Sequence, residues 1–269
     1  MKYKVNGVFF SATGTTKKVV SKLAKDLAEN LKSDTYFHDF TQPLNREKSL
    51  KFNDKDIVIV GLPVYAGRVP NVLINYLNTI KSDGAKAVAV VLFGNRDYDD
   101  ALIELKNILK ANGFKVIAGG AFVGEHSFST TLAQGRPDKM DLEKVSRFAN
   151  QIHSKISSGS GQEVVVPGNE SYRPYYKPKD DKGEDVDFRK IKPKTNEDCT
   201  DCKLCVSLCP MGSIDYDDVS KLNYICIKCG ACIKNCPVNA KYYDDEDYLR
   251  HKYELEIELT ERKEPEIFL

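Results

Sequence analysis

The stretch Val5-Asn6-Gly7-Val8-Phe9-Phe10-Ser11-Ala12-Thr13-Gly14-Thr15-Thr16-Lys17-Lys18-Val19-Val20 leaves a short apolar run, crosses a small hydroxyl-rich turn and enters helical spacing at once. Val5–Phe10 reads as a strand. From Thr16 to Leu31 the apolar residues Val19, Val20, Leu23, Ala24, Leu27 and Leu31 return at the intervals of one helix face. A strand, a turn and a helix N-terminus in that order form an anion site, because unpaired backbone N–H groups and the positive end of the helix dipole meet at the turn. Hydroxyls add donors, and Gly14 lets the backbone come close. A plain N-cap needs one Ser or Thr, whereas this turn holds Ser11, Thr13, Thr15 and Thr16, so a phosphate is the expected ligand. The nucleoside triphosphate loop G-x4-G-K-[ST] is absent, since Phe9 stands where its first glycine would be, and no G-x-G-x-x-G follows a strand.

Outward from this unit the alternation continues. Apolar runs at Thr35–Asp39, Asp56–Gly61, Ala87–Phe93 and Lys115–Phe122 alternate with helical patterns at Val69–Ile80, Tyr98–Asn112 and Lys139–Ile156. An α/β fold is expected, a doubly wound sheet of five parallel strands with helices on both faces. Residues 159–193 then open with Gly159-Ser160-Gly161 and carry Pro167, Pro174, Pro178 and Pro193, with a charged stretch Lys177–Asp187 that has no apolar period. This is a linker. Val164-Val165-Val166 and the tyrosines Tyr172, Tyr175 and Tyr176 are expected to pin it in part to a domain surface. Near the C-terminus Tyr253, Leu255, Ile257 and Leu259 alternate with charged residues, which favours an extended segment, and Ile267-Phe268-Leu269 ends it with an apolar group able to dock elsewhere on the chain. The expected organisation is a first domain over 1–158, a linker over 159–193, a second domain over 194–247 and a tail over 248–269.

The chain's 269 residues leave room for roughly two domains. No apolar run approaches the roughly 20 residues of a bilayer span, and Met1-Lys2-Tyr3-Lys4-Val5 has no apolar signal core. A membrane span is not expected, and a cytoplasmic location is. Lys and Arg total 40 against 39 Asp and Glu, without a long basic block, so the electrostatic footprint of a DNA- or RNA-binding protein is missing.

All eight cysteines lie between Cys199 and Cys236. In a reducing compartment such a cluster serves metal or redox chemistry rather than disulfides. It runs Cys199-x2-Cys202-x2-Cys205-x3-Cys209-Pro210 and again Cys226-x2-Cys229-x2-Cys232-x3-Cys236-Pro237. Zinc sites pair Cys-x2-Cys units across a longer loop. Two full runs, each closed by proline, resemble instead the bacterial-type ferredoxin with two 4Fe-4S clusters, in which the fourth cysteine of each run serves the other cluster. The resemblance implies that Cys199, Cys202, Cys205 and Cys236 hold one cluster, and Cys226, Cys229, Cys232 and Cys209 the other. Gly212, Gly230 and Ala231 leave room for backbone N–H groups near the inorganic sulfurs, and Ile214, Leu222, Ile225, Ile227, Ile233 and Val238 exclude water. About 50 residues bury too little apolar surface to fold alone, so the clusters are expected to act as the core of an α+β ferredoxin-like domain.

The first turn in its turn resembles the flavodoxin phosphate loop [ST]-x-T-G-x-T, matched by Ser11, Thr13, Gly14 and Thr16. In flavodoxins the phosphate of FMN sits there, and the ring lies between loops at the carboxyl ends of the third and fourth strands, where the strand order switches. Those loops here are Gly61–Arg68 and Phe93–Tyr98. The resemblance implies FMN held at its phosphate by Ser11, Thr13, Gly14, Thr15 and Thr16. Around the ring it implies Pro63, Tyr65, Ala66, Gly67 and Arg68 from one loop and Gly94, Asn95, Arg96 and Tyr98 from the other, with Tyr98 stacked on it. Two departures matter: no Trp is present, and Arg68 and Arg96 bring positive charge where ordinary flavodoxins are acidic, which would favour the reduced, anionic flavin and raise its potential.

The whole chain resembles the flavodoxin–ferredoxin fusion proteins of anaerobic bacteria and archaea. That resemblance implies an electron-transfer protein that passes electrons between two 4Fe-4S clusters and FMN and exchanges them with redox partner proteins, a ferredoxin or an oxidoreductase. The alternative is an FMN-dependent reductase of a small acceptor such as a quinone, met near Tyr65, Arg68 and His126, with the clusters as electron inlet. The sequence shows no catalytic nucleophile, acid–base pair or nicotinamide fingerprint, so the carrier leads. A redox sensor would want a signalling or DNA-binding segment, and none is visible. The loop Gly124–Ser129, with His126, reads as polar surface. The linker permits flavin and clusters to meet within one chain or across a homodimer.

Overall fold

A computed structural model describes residues 3–269. Met1 and Lys2, part of the N-terminal stretch read as lacking a signal core, lie outside the described residues. Strands β1 (Lys4–Phe9), β2 (Asp34–Asp39), β3 (Asp56–Pro63), β4 (Lys86–Phe93) and β5 (Lys115–Val123) are parallel, and β6 (Glu266–Phe268) joins β5 antiparallel at the edge. Their order is β2-β1-β3-β4-β5-β6. Along β3, Ile57 and Ile59 enter one apolar layer and Val58 and Val60 the other, the period-two alternation of a strand buried on both faces. Helices α1 (Thr15–Leu31) and α3 (Lys139–Ser157) supply the first layer through Leu23, Leu27, Phe148 and Ile152. Helix α2 (Ala101–Ala111) covers the second with Leu102, Leu105 and Leu109.

The helix expected over Val69–Ile80 shrinks to turns at Asn71–Leu73 and Ile74–Leu77. Pro70 is extended, with ψ 117°, so helical backbone starts only after it. At the far end the Asn112 side chain donates to Leu77 O at 2.9 Å and closes the segment.

The linker is fastened to the first domain. Val164 and Val166 are buried in the α2 layer, and Val164 N donates to Val116 O at 2.9 Å. Further on, the carboxylate of Asp100, itself buried, accepts from the backbone N–H of Asn169 at 2.9 Å and of Arg173 at 2.6 Å.

The expected extended tail is corrected. Residues Glu246–Glu258 form helix α6, capped by Asp245, whose carboxylate accepts from Tyr248 N at 3.1 Å. Its buried residues are Tyr248, His251 and Leu255, at helical intervals, whereas Tyr253 and Ile257 of the alternating pattern face solvent. The true stripe thus includes a histidine and begins ahead of the alternation, which is why periodicity misled. The apolar end does dock, as strand β6.

The cysteine region is small: helices α4 (Leu204–Leu208) and α5 (Ala231–Lys234), and a two-stranded antiparallel pair Lys194–Thr195 with Lys241–Tyr242. It sits on the carboxyl edge of the parallel strands. Arg46 donates to Pro210 O at 2.6 Å, Lys234 pairs with Glu125 and donates to Ser129 O at 2.8 Å, and Ser129 Oγ donates to Glu256 at 2.5 Å. No helix of the described residues is long and apolar enough to cross a membrane.

Candidate cofactor site

The turn after β1 presents a bare helix end. Gly14, at φ 88°, is the N-cap of α1; no side chain caps that helix, its first turn holds no acid, and a Cβ at Gly14 would meet nothing within 4 Å. Ser11 braces the turn: its Oγ accepts from Lys17 N at 3.0 Å and its own N–H donates to Thr41 Oγ1 at 2.8 Å. Thr13, Thr15 and Thr16 line a cavity that runs along the carboxyl edge of the sheet. An uncapped N-terminus with hydroxyls facing a cavity is chemically suited to a phosphate.

The same cavity is walled by Pro63, Val64 and Tyr65 after β3, by Leu92, Phe93 and Gly94 at the end of β4, and by Gly124, Glu125, His126 and Ser127 after β5. Cys229 completes it from the cysteine region. Gly94 is required there, since a Cβ would lie 2.9 Å from the Cα of His126. Gly230 is equally constrained: a Cβ would come within 2.5 Å of Ser127 O, so the backbone beside Cys229 lies flat against the loop that walls the cavity.

Several expected ring residues do not line this cavity, although Ala66 and Arg96 line the wider one that shares Tyr65, His126 and Ser127 with it. Arg68 is corrected from a flavin-side cation to an anchor of the linker: its Nε and NH2 each donate at 2.7 Å to the Glu104 carboxylate, its NH1 donates to Arg173 O at 2.6 Å, and it lies over the Tyr172 and Tyr175 rings. The reason is Glu104, whose side chain is 4% exposed and has to be neutralised where it stands. Ala66 and Gly67 form the tip of a two-residue turn, with Tyr65 N donating to Arg68 O and Arg68 N to Tyr65 O. Ala66 O accepts from Tyr176 N at 2.9 Å, so that turn also holds the linker. Tyr98 does not line the cavity: its ring is buried against Phe93, and its hydroxyl donates to Glu266 of β6 at 2.9 Å. Asn95 is buried and its amide donates to Leu259 O and Glu261 O, so it holds the tail. Arg96 pairs with Asp99 and lies 4.9 Å from the centre of the Tyr176 ring.

His126, read as surface, is a wall of the cavity. Its Nδ1 accepts from Phe128 N at 3.2 Å. Burial, with Lys234, His251 and Arg96 nearby, pushes its pKa down to about 4, so it is neutral near pH 7. Burial first, and then the Cys229 and Cys226 thiols, push the Tyr65 phenol well above its ordinary value. The signals for what sequence reading missed were faint: Glu104 is a lone acid in the apolar run Ala101-Leu102-Ile103-Glu104-Leu105, and nothing local marks His126.

The cysteines line two further cavities. Cys209, Cys226, Cys229 and Cys232 surround one, with Ile214, Leu222 and Tyr243. Cys199, Cys202, Cys205 and Cys236 surround the other, with Val219 and Val238. Each holds three cysteines of one run and the last of the other. The thiols ring these cavities rather than converging, and among the described residues no three His, Cys, Asp or Glu side chains could hold a single ion. Backbone N–H groups already face some sulfurs: Ser213 N donates to Cys209 Sγ at 3.3 Å and Ala240 N to Cys236 Sγ at 3.2 Å. Burial pushes the Cys229 thiol up to about 12 and raises Cys232 as well, so these sulfurs ionise only against a positive centre.

A family model for a flavodoxin domain matches residues 8–121, and one for a 4Fe-4S dicluster domain matches residues 165–251. The chain is a flavodoxin–ferredoxin fusion. Its cofactors are FMN and 4Fe-4S clusters, and its function is FMN and iron–sulfur electron transfer. The fusion's first domain is similar in structure to a flavodoxin from the domain Archaea (15% identity, 57% of this chain and 99% of that one, TM-score 0.41). It is also similar to the flavodoxin of Streptococcus pneumoniae TIGR4 (19% identity, 56% and 99%, TM-score 0.40). A third similar structure is rubredoxin oxygen:oxidoreductase from the anaerobe Desulfovibrio gigas (18% identity, 58% and 37%, TM-score 0.43). No curated protein matches the chain significantly. The residues present fit the groups the fusion implies: an uncapped helix end and hydroxyls for a phosphate, and two separate rings of four thiols for two clusters.

Proposed function

We propose that the chain relays single electrons from a protein partner through its two clusters to its own FMN, and returns them by the same route. The observation that carries this is Cys229, which lines both the cavity of one thiol ring and the cavity of the phosphate turn. Flavin and cluster then share one wall within one chain, which favours the single-chain arrangement over the homodimer. The other thiol ring includes Cys202, the exposed cysteine of the eight, beside the ion pair of Asp201 and Lys203. That exposed face is the proposed docking site for a redox partner protein.

In this reading Cys199, Cys202, Cys205 and Cys236 ligate the outer cluster, and Cys209, Cys226, Cys229 and Cys232 the inner one. Thr13, Gly14, Thr15 and Thr16 hold the phosphate through N–H and hydroxyl donors. Pro63, Tyr65 and Gly94 shape the ring site, with Tyr65 its aromatic wall. Bound FMN accepts one or two electrons and each cluster one, which lets single-electron partners fill a two-electron store. The docked dicluster domain excludes water from that side. The domain bounds 1–158 and 194–247 and a cytoplasmic location belong to the same proposal.

The test is iron and FMN content on anaerobically purified protein, expected at about eight irons and about one FMN per chain, followed by rapid mixing with a one-electron donor. Cluster bleaching should precede flavin reduction, at a rate independent of protein concentration. A flavin rate proportional to protein concentration would assign the exchange to pairs of chains and overturn the single-chain relay.

A further inference from the structure

The two cysteine runs are offset by 27 residues, Cys199 to Cys226, and the same offset pairs Ile214 with Lys241. The backbone repeats with the sequence. One residue before each of the two, Ser213 N donates to Cys209 Sγ at 3.3 Å and Ala240 N to Cys236 Sγ at 3.2 Å. Both residues are buried, Ile214 at 5% exposure in the wall of the inner thiol ring and Lys241 at 3% in the wall of the outer one. One position of the repeat therefore sets a hydrocarbon against one ring and an ammonium against the other.

Burying an ammonium without a carboxylate is costly. Lys241 makes no ion pair among the described residues: its Nζ donates to Thr195 Oγ1 at 2.6 Å and to Val219 O, both neutral, and one N–H is left over. Thr195 faces it across the two-stranded pair and Val219 lines the same cavity, so the charge is anchored from two sides beside the outer ring. Asp201 and Lys203 also line that cavity, but they pair with each other at 2.7 Å and cancel. The inner ring has Lys228, which donates to Cys226 O at 2.9 Å, yet this lysine is only half-buried and does not line the cavity, so water screens it. The charge of Lys241 is felt in both rings, by the thiols of Cys205 and Cys232, where burial raises the pKa and Lys241 opposes it; it walls the outer cavity and not the inner. What remains to balance it is the cluster itself, which with four thiolates carries roughly −2.

We propose that Lys241 separates the two clusters in potential: its buried charge makes the outer cluster the easier to reduce, so of the two clusters the one at the docking face fills first. This rests on the relay proposed above for the partner's docking face. One electron from a reduced one-electron donor makes a cluster one unit more negative, with no proton taken up and no bond broken. A positive charge fixed in a low-dielectric wall favours that added charge, and Ile214 offers the inner cluster nothing equivalent.

The test uses the full chain with FMN and both clusters bound, reduced stepwise with dithionite under anaerobic conditions. In protein carrying one cluster electron, the hyperfine-shifted cysteine signals in NMR are expected to place it at Cys199, Cys202, Cys205 and Cys236 over the other four by about tenfold or more. Lys241→Ile gives the outer ring the residue the inner ring already has. It should lower the higher of the two cluster potentials by about tenfold in the equilibrium constant, about 59 mV for one electron, with iron content unchanged. Lys241→Arg keeps the charge and should keep the separation, which a merely structural role would not require. Because the charge is buried, the separation should also survive high salt. A first electron on the inner ring, or one shared equally, overturns the assignment, and so does Lys241→Ile with full iron and unmoved potentials. Where Lys241→Ile loses its clusters, the signals of the unsubstituted protein decide. If the potentials follow the charge while flavin reduction is proportional to protein concentration, the single-chain relay falls and Lys241 stands; if the relay holds and the potentials ignore the charge, Lys241 alone falls.

Discussion

The two domains are held together by different physics. The flavodoxin domain builds two apolar layers against a five-stranded parallel sheet, with Phe9, Phe10, Phe122 and Phe148 fully buried. The dicluster domain buries only small or scattered apolar residues of its own, and its one apolar cluster joins its Tyr243 to Ile191 and Phe188 of the linker, Tyr248 of α6 and Phe128 of the flavodoxin domain. One half is stabilised by burial of side chains, the other by the clusters it grips and by the partner it leans on. Stability therefore differs along one chain, and each half fails under a different treatment.

The largest effect should come from removing iron. Chelation under anaerobic conditions is expected to bring amide exchange across Cys199–Cys236 to unfolded rates, while β1, β3 and β4 stay protected. Protection that survives in the cysteine region would show docking alone to be sufficient, and would erase the contrast. Next comes Gly230→Ala. Its Cβ would lie 2.5 Å from Ser127 O, at a backbone φ of 74°, so the domains must part locally. Flavin reduction by the clusters should slow by about tenfold or more with iron content retained, because contact rather than ligation is disturbed. An unchanged rate would show that the Cys229 wall is not the route.

Asp100 tests the linker's hold on the flavodoxin domain. Burial raises its pKa, but the N–H donors of Arg173 and Asn169, with the Arg173 and Arg68 guanidinium groups, outweigh burial and hold it below the usual carboxylate value. A depressed carboxylate contributes stability that is present above its unfolded value and lost as pH falls through the folded one. Asp100→Ala should cost about 1–3 kcal/mol at pH 7 and flatten the acid limb of the stability profile below pH 3.8, measured by denaturant unfolding. A smaller effect is expected from Asn95→Ala, which frees the tail from the loop after β4 and should cost about 1 kcal/mol, with faster dissociation of FMN; unchanged dissociation would confine Asn95 to the tail. The exposed linker pair Lys177–Asp185 marks the lower end, and Lys177→Ala should leave denaturant unfolding unchanged within error.

Much of this was legible in sequence because the signals are local. The phosphate turn needs only that Ser11–Thr16 follow a strand and start a helix, and the four inner strands of the parallel sheet announced themselves by apolar runs between turn residues. The cysteine spacing carries the iron–sulfur assignment in the same local way. The ring site was less legible. Arg68 and Tyr98 stand at the right positions of the right loops, yet Glu104 and Glu266, distant in sequence, draw them away from the cavity. Helix α6 was hidden because its buried stripe, Tyr248, His251 and Leu255, is divided among the linker, the flavodoxin loop and Tyr243 rather than packed on one apolar layer.

The sequence by itself determined the parallel sheet, the anion-binding turn and the two thiol runs, since each follows from residue type and spacing along a few dozen residues. Tertiary structure alone decided which loop residues face the cavity, that Cys229 borders it, and that linker and tail fasten to the loops beside it. Those outcomes depend on charges and rings that meet across 36 residues of chain for Arg68 and Glu104 and 168 for Tyr98 and Glu266, where the position of each is set by the neutralisation and packing of the others.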